Sequence, residues 1–400
     1  MSQYILLNRV RVQCANAVSG FTWGFPAITH FLGFAHNLNR KLKQHPHFND
    51  FNLQGCAVIA HDHQVHCYRT SGGINYSQNK ATFYLEEDVK RKVDKTGKIK
   101  NDPSVIEEAK MHMTVSLIIG FDGYAGNQED AFKQWIINMS RMQRLAGGTV
   151  LDIGSVDFLD LGEESSLRRM KRKLLPGFIL QDRSKYLAAH YEKLQQKNPD
   201  AELIDAWLDF STLKQKARPK SDLIEKHLRN RLKEIPSSDE PEKLMICWQD
   251  HKEEPYYKSN IPPVLNSYFA SLDEKANEKL LKEWQNYCNP TEKTEADWEY
   301  VKKPKKGYLV PIMTGYKAIS QVYKKGTVAG ARDSDTDVCF VESVHSIGEW
   351  QSVHRIKTTE ELANSLWHYA PYEKHWYLCK QGIEHHHKPE DTTHTPSIYD

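Results

Sequence analysis

The 400-residue sequence lacks the marks of several large functional classes. Its seven cysteines, Cys14, Cys56, Cys67, Cys247, Cys288, Cys339 and Cys379, form no Cys-x-x-Cys pair, which argues against a zinc ribbon or a disulfide scaffold. No apolar run approaches the roughly 20 residues of a membrane span. The start, MSQYILLNRVRV, has none of the architecture of a signal peptide, so no membrane partner and a cytoplasmic location are expected. A Walker loop, a dinucleotide fingerprint, a zinc-protease helix and a nucleophile elbow are all missing, and no cofactor is expected. There is no charge surplus either: 54 basic residues stand against 52 acidic ones. Any affinity for a polyanion must therefore come from local clusters rather than net charge.

What is present begins with Ala15–Leu38, ANAVSGFTWGFPAITHFLGFAHNL, a polar, glycine-bearing turn that runs into an amphipathic helix expected to start at Pro26. Proline suits the first helical turn, and the free amides and positive dipole end there favour phosphate. Phe21, Trp23 and Phe25 offer flat faces for bases, although a packed core corner accounts for the same aromatics equally well. Ahead of the turn, Tyr4, Leu6, Val10 and Val12 alternate with Ile5, Leu7, Arg9 and Arg11, which reads as a strand with two arginines on one face. Behind it, Ile28, Phe31, Leu32, Ala35, Leu38 and Leu42 recur at helical spacing and leave His30 on the opposite side.

Further along, Gly55 to Ala60 and Val65 to Tyr68 read as strands around a polar turn at Asp62 to Gln64. Residues 71–110 read as a projecting insertion whose centre, VKRKVDKTGKIK, has six basic residues against one acid. A strand at Met111 to Ile119, a helix within Gln128 to Leu145 stopped by Gly147 and Gly148, and a strand at Thr149 to Ile153 follow. Strand, helix, strand, insertion, strand, helix, strand is the order of a ferredoxin-like or RNA-recognition-motif domain over residues 1–160. The expected class is α+β. A mainly helical region at 161–306 with a charged insertion, a packed subdomain at 307–383 and a polar tail at 384–400 complete the expected organisation.

Catalytic constellations are thin. His61, His63, His66 and Cys67 have the residue types of a metal site, but strand alternation divides them between two faces, so no metal site is expected. His30, His36 and Tyr68 are the candidates for metal-free RNA cleavage, yet no spacing couples a base to an acid. The basic stretches are more telling. Lys90 to Lys100 and Arg168 to Lys173 flank a sheet domain of RNA-binding type, while the acids concentrate at Asp239 to Glu254 and Asp273 to Glu299.

Five blocks then carry a resemblance in order: ANAVSGFTWGFPAITHFLGFAHNL, RLAGG from Arg144, RKLLPGF from Arg172, GYLVPIMTGYKAIS from Gly307, and ARDSDTDVCFVESVHSIGEWQSVHR from Ala331. With these blocks the chain resembles the Csy-two family, the five-prime-handle-binding subunit of type I-F CRISPR surveillance complexes. The resemblance implies a repeat-associated (RAMP) protein of the Cas-five type, with an RNA-recognition-motif palm and a thumb-like insertion. It implies binding of guide RNA (crRNA) rather than cutting, beside the large subunit and a neighbouring backbone subunit, with target DNA engaged indirectly through the guide. The alternative is a metal-independent endoribonuclease of the same fold that processes repeat RNA. The charged segment at about 214–306 is longer than the resemblance leads one to expect, so no role is carried onto it.

The RNA-contacting set expected from these blocks and clusters is Arg9, Arg11, Asn16, Ser19, Thr22, Trp23, Phe25, His30, Arg91, Lys92, Arg141, Arg144, Gly147, Gly148, Arg168, Arg169, Lys171 and Arg172. In it, Asn16, Ser19 and Thr22 read base edges or sugar hydroxyls, Trp23 stacks, and the cations neutralise backbone charge. No catalytic residue and no metal ligand belong to the expected site.

Overall fold

The computed structural model describes residues 3–71, 73–76, 78–82, 105–160, 164–219, 296–329, 331, 335–370 and 375–382. Arg91 and Lys92, most of the charged segment and the C-terminal tail lie outside the described residues. Two compact units are present: residues 1–211 with 305–400, and residues 212–304. No helix among the described residues is long and apolar enough to cross a membrane.

In chain order the first unit opens with β1 (Gln3–Asn16), the small hairpin β2 (Val18–Ser19) and β3 (Thr22–Trp23), and α1 (Ile28–Lys43). Next come β4 (Asn52–Val65), β5 (Cys67–Thr70), β6 (Gly73–Tyr76), β7 (Gln78–Thr82) and the long β8 (Val105–Asp122). Then follow α2 (Glu129–Arg141), β9 (Arg144–Leu145), β10 (Gly148–Asp160), α3 (Glu164–Leu174), β11 (Phe178–Asp182), α4 (Ser184–Lys197) and α5 (Leu203–Ser211). The second unit contributes the antiparallel ribbon of β12 (Gln215–Pro219) and β13 (Ala296–Tyr300). The first unit resumes with β14 (Leu309–Ala318), β15 (Val341–Ser352), α6 (Thr359–Ala363), β16 (His368–Tyr369) and β17 (Tyr377–Lys380). The class is α+β, built on one large sheet in the order β16-β17-β14-β15-β11-β4-β8-β1-β10-β9, with β7 added beside β8. Neighbouring strands in it run antiparallel.

β1 lies between β8 and β10 and is buried on both faces over Tyr4–Leu7. Strict alternation does not survive along it. Arg9 and Cys14 adopt φ of 51° and 54°, and the register with β8 shifts between Leu7 and Val10 and again between Val12 and Ala15. Each irregularity adds one residue, so Ile5, Leu7, Val10, Val12, Ala15 and Ala17 all reach the same core. Val10 and Val12 therefore join Ile5 and Leu7, not Leu6 as simple period-two reading has it.

That core lies under α1 and α2. α1 buries Ile28, Phe31, Leu32, Phe34, Ala35, Leu38 and Leu42, a stripe at helical spacing. The helix begins later than the sequence suggests: Ala27, with ψ of 148°, is its N-cap, and Pro26 stands just before it, outside the helix. α2 ends at Arg141, before the expected Leu145, because the chain turns into the β9–β10 hairpin through Ala146 (φ 50°) and Gly147 (φ 74°). Phe132 of α2 sits at the centre of an aromatic group with Phe48, Phe51, Phe121 and Phe158, ring centroids 4.9 to 5.9 Å away. The polar stretch Asp62–Gln64 is no turn, since β4 continues through it paired to Thr114, Met113 and His112 of β8.

The opposite sheet face has a second core. Tyr4, Leu6, Ala57, Ile59, Ile118 and Leu159 meet Leu167, Met170 and Leu174 of α3 and the C-terminal residues Val353, Ile356, Leu362 and Leu366. After α3, Gly177 passes so close that a Cβ there would lie 2.2 Å from the Leu174 carbonyl oxygen. α4 and α5 pack Leu187, Ala206, Trp207 and Phe210 on Leu309 and Ile347 of β14 and β15.

Phe132→Ala is expected to cost about 3 to 5 kcal/mol, the range for truncating a fully buried aromatic, with a matching loss in the denaturant midpoint. A change under about 1 kcal/mol would show that the ring is dispensable to the α2–sheet core.

Candidate nucleic-acid interface

α3 and residues 353–366 cover only part of the second sheet face. Toward the far end of β1, Arg11, Gln13, Asp62, Gln64 and Leu151 are exposed, and with His112, Met113 and Thr114 they line a shallow depression of about 220 Å³. Its chemistry is mixed: one guanidinium, one carboxylate, amides and a hydroxyl beside an apolar leucine. Between this open area and the second core stands a polar seam. The Ser116 hydroxyl accepts from the Arg9 amide at 2.9 Å and has Asn8 Oδ1 at 3.1 Å and His61 Nε2 at 2.7 Å as alternative acceptors for its one proton, while His61 Nδ1 donates to the Pro176 carbonyl at 2.8 Å. Burial pushes the His61 imidazole below its usual range; the Pro176 carbonyl raises it in part and the Arg9 charge lowers it further. The Arg9 guanidinium donates to the Leu175 carbonyl at 3.2 Å, so this arginine ties the end of α3 to the sheet.

The turn after β1 is a two-residue hairpin. Gly20, at φ 60°, takes the first central position, where a type II′ turn calls for glycine. The Thr22 hydroxyl closes it by donating to the Ser19 carbonyl at 2.8 Å, and Asn16 Oδ1 accepts from the Val18 amide at 3.0 Å. Ser19 is only 2% exposed. Trp23 and Phe25 are half-buried against the main core, Phe25 stacking on Phe31 at 5.4 Å and meeting the Trp350 ring edge-on at 4.8 Å. The aromatic presented to solvent is Phe21, at the turn tip and 64% exposed, with its ring 4.1 Å from His345 and 5.5 Å from Trp207. Composition alone does not separate these three rings; the hairpin's short register does.

His30 lies in the first turn of α1 and is half-buried, its Nδ1 without a partner among the described residues. Desolvation lowers its pKa, partly offset by the Ala27 carbonyl. The next α1 turns face the segment that enters the RLAGG hairpin, where Asn37 donates to Gln143 at 2.6 Å. In that hairpin Gly147 is exposed and Gly148 buried, and Arg144, exposed, donates to the Gly147 carbonyl at 3.2 Å. Arg141 is engaged with Asp152 at 3.0 Å.

The basic cluster forms the exposed side of α3. Leu167, Met170 and Leu174 face inward, whereas Arg168, Arg169 and Arg172 are exposed and Lys171 is half-buried. Lys171, Arg172 and Lys173 stand in the last turn, where cations also offset the helix dipole. Lys173 is spoken for: its ammonium donates to Asp157 at 2.6 Å.

The family described as CRISPR-associated protein (Cas_Csy2) matches residues 5–258 and 264–379. The chain belongs to the Csy2 family. It is also similar to the CRISPR-associated protein Csy2 of Pseudomonas aeruginosa (strain UCBPP-PA14), with 28% identity over 391 residues, 93% of each chain. The Csy2 match thus takes in the β1–β3 turn, the RLAGG hairpin, α3 and the C-terminal strands together. Sequence reasoning missed the open half of the sheet face because Gln13, Gln64, Thr114 and Leu151 carry no motif, and only strand pairing assembles them.

Two outcomes are expected from stability measurements. Trp23→Ala should cost roughly 2 kcal/mol, about half the cost for a fully buried tryptophan, whereas Phe21→Ala should stay within about 1 kcal/mol. Equal losses in thermal unfolding would place Phe21 in the core. For Asp157, burial pushes the carboxyl up, but the donating Lys173 ammonium and Ser155 hydroxyl outweigh it and the net pKa is lowered. A depressed native pKa stabilises above the unfolded-state value and loses that contribution as pH falls through the native one. Asp157→Asn should therefore be less stable than wild type near neutral pH and converge with it below about pH 4. A gap that stays constant down to acid would mean that the ion pair adds nothing to stability.

Proposed function

We propose that this Csy2-family chain is a non-catalytic guide-RNA-binding subunit of a type I-F CRISPR surveillance complex in the cytoplasm. In this reading it holds the five-prime handle together with the large subunit, stands beside a backbone subunit, and meets target DNA only through the guide. The carrying observation is the exposed, mixed-polarity half of the sheet face, with Arg11, Gln13, Gln64, Thr114 and Leu151, beside an otherwise well-covered sheet. Single-stranded RNA is held on such faces by a few cations, amides that meet base edges and apolar surfaces that take a base. The order β4-β8-β1-β10, with α1 following the β1 strand and α2 the β8 strand, supports reading this part as a ferredoxin-like palm. The exposed Phe21, Arg144 and Gly147 and the outer side of α3 supply further stacking and phosphate-binding groups.

A binding role also agrees with where the cleavage candidates stand. General acid–base chemistry needs its groups within hydrogen-bond reach of one substrate. His30 is half-buried, His36 is exposed further along α1 and on another side of the helix, and Tyr68 is exposed on β5.

Residue-resolved RNA crosslinking of the assembled complex tests the interface, with adducts expected at Phe21, the RLAGG hairpin and the Arg11 face. Replacing Arg168, Arg169, Lys171 and Arg172 by glutamine should flatten the slope of log affinity against log salt by about 0.7 for each phosphate no longer neutralised. Repeat RNA incubated with the purified protein in chelator should stay intact. A discrete cut abolished by changing His30, His36 or Tyr68 would overturn the non-catalytic reading, and crosslinks confined to other subunits would overturn RNA binding by this chain.

A further inference from the structure

Cys14, His66 and His112 come together on the open sheet face, and the RNA-binding reading makes no use of them as a group. We propose that these three side chains hold one borderline-soft transition-metal ion, zinc in the first instance.

Strand pairing explains the convergence. β8 runs between β4 and β1, and His112 is on the central strand of the three. Gln64 pairs with His112, so His66, two residues on, points to the same side of the sheet, with its amide bonded to the Lys110 carbonyl at 3.0 Å. Cys14 is the extra residue of the second β1 irregularity, where φ of 54° departs from extended geometry. Without that irregularity, alternation from the core residue Val12 would turn position 14 to the α1–α2 side, away from His112. One ligand atom from each residue lies within 4.8 Å of the other two.

The spacing suits coordination. His66 Nε2 and His112 Nε2 are 3.3 Å apart, long for a hydrogen bond. Bonds of about 2.0 to 2.1 Å at tetrahedral angles put two zinc-bound nitrogens roughly 3.3 to 3.4 Å apart. One thiolate with two imidazoles selects zinc or cuprous copper over magnesium or calcium, which prefer oxygen. All three residues are half-buried, so an ion has access, and a fourth position is left for water. The Cys14 amide donates to His112 Nδ1 at 3.2 Å, which keeps the ring proton on Nε2 in the metal-free chain. On loading, that proton moves to Nδ1, the amide contact opens, and the Cys14 thiol releases one proton to solvent.

Cobalt titration of the chelator-treated full-length protein tests this. One equivalent of Co²⁺ should produce a thiolate-to-metal charge-transfer band and the intense visible bands of tetrahedral coordination. Zinc should then displace the cobalt and raise the melting temperature. Cys14→Ser should lose the charge-transfer band, and His112→Ala should weaken binding by more than the roughly 10- to 100-fold that losing an outer-shell partner costs. Cys67→Ser should keep the band, and the cysteine-free tract His385–His387 cannot produce it. Should Cys14→Ser fail to fold, alkylation of the wild-type protein gives the same answer: zinc is expected to shield Cys14 from iodoacetamide. The proposal fails if no thiolate band forms, if the band persists in Cys14→Ser or disappears only in Cys67→Ser, or if zinc leaves Cys14 alkylation unchanged.

Discussion

The chain depends on how β1 spends two extra residues. A strand paired on both sides and covered by helices on one face must keep its inward side apolar along its whole length, or the cores either side of it come apart. β1 meets that demand with irregularities at Arg9 and Cys14, which reset the alternation so that Val10, then Ala15, return to the α1–α2 core. The extra residues have to go somewhere. They go to the opposite face, where Arg9 braces the end of α3 and Cys14 meets His112. Core continuity and the polar character of the open face are two sides of one backbone adjustment.

Electrostatics follow the same division. Cations that anchor elements are partnered: Arg141 with Asp152, Lys173 with Asp157, and Arg183 with Glu349 at 2.6 Å. Those that look outward, Arg11 among them, add charge to a surface rather than rigidity to a fold. A near-neutral total thus coexists with local positive character, and the histidines nearest the cores, His30, His61 and His345, are all pushed toward the neutral form by burial.

Much of this is legible in residue order. The α1 stripe matches its buried face residue for residue, with Phe34 added, because a 3.6-residue period leaves little latitude. α4 and α5 fall within the helical region expected at 161–306, with Leu203 and Ile204 exposed and Ala206 and Phe210 buried. Periodicity carries α2 one turn too far, and Met142, 72% exposed, shows where the helical face stops. What stays hidden is what depends on partners distant in sequence. A bulge has no local signature when its purpose is to match a strand some hundred residues away, and Asp62–Gln64 looks like a turn until β8 is laid beside it. The candidate surface is legible by its cations and its turn, and hidden in its floor, because Gln13, Gln64, Thr114 and Leu151 become neighbours only through pairing.

One contact has a consequence for how the molecule is made. Cys56 and Trp367 exchange backbone hydrogen bonds, each amide donating to the other's carbonyl at 2.9 Å, and the buried Trp367 indole donates to the Leu180 carbonyl at 3.3 Å. β11 itself touches β4 through only two residue pairs, and its other edge is occupied by β15. Synthesis runs from the amino end, so a ribosome delivers β1, β4, β8 and β10 long before the segment that closes β4 against Trp367. Throughout that interval the nascent chain carries an open strand edge over Cys56, Ala57 and Val58, beyond the two pairs that β11 supplies, a template for pairing with other chains. The C-terminal strands act as the seal on the N-terminal ones, and a message truncated before Trp367 would yield a protein with its most adhesive edge uncovered.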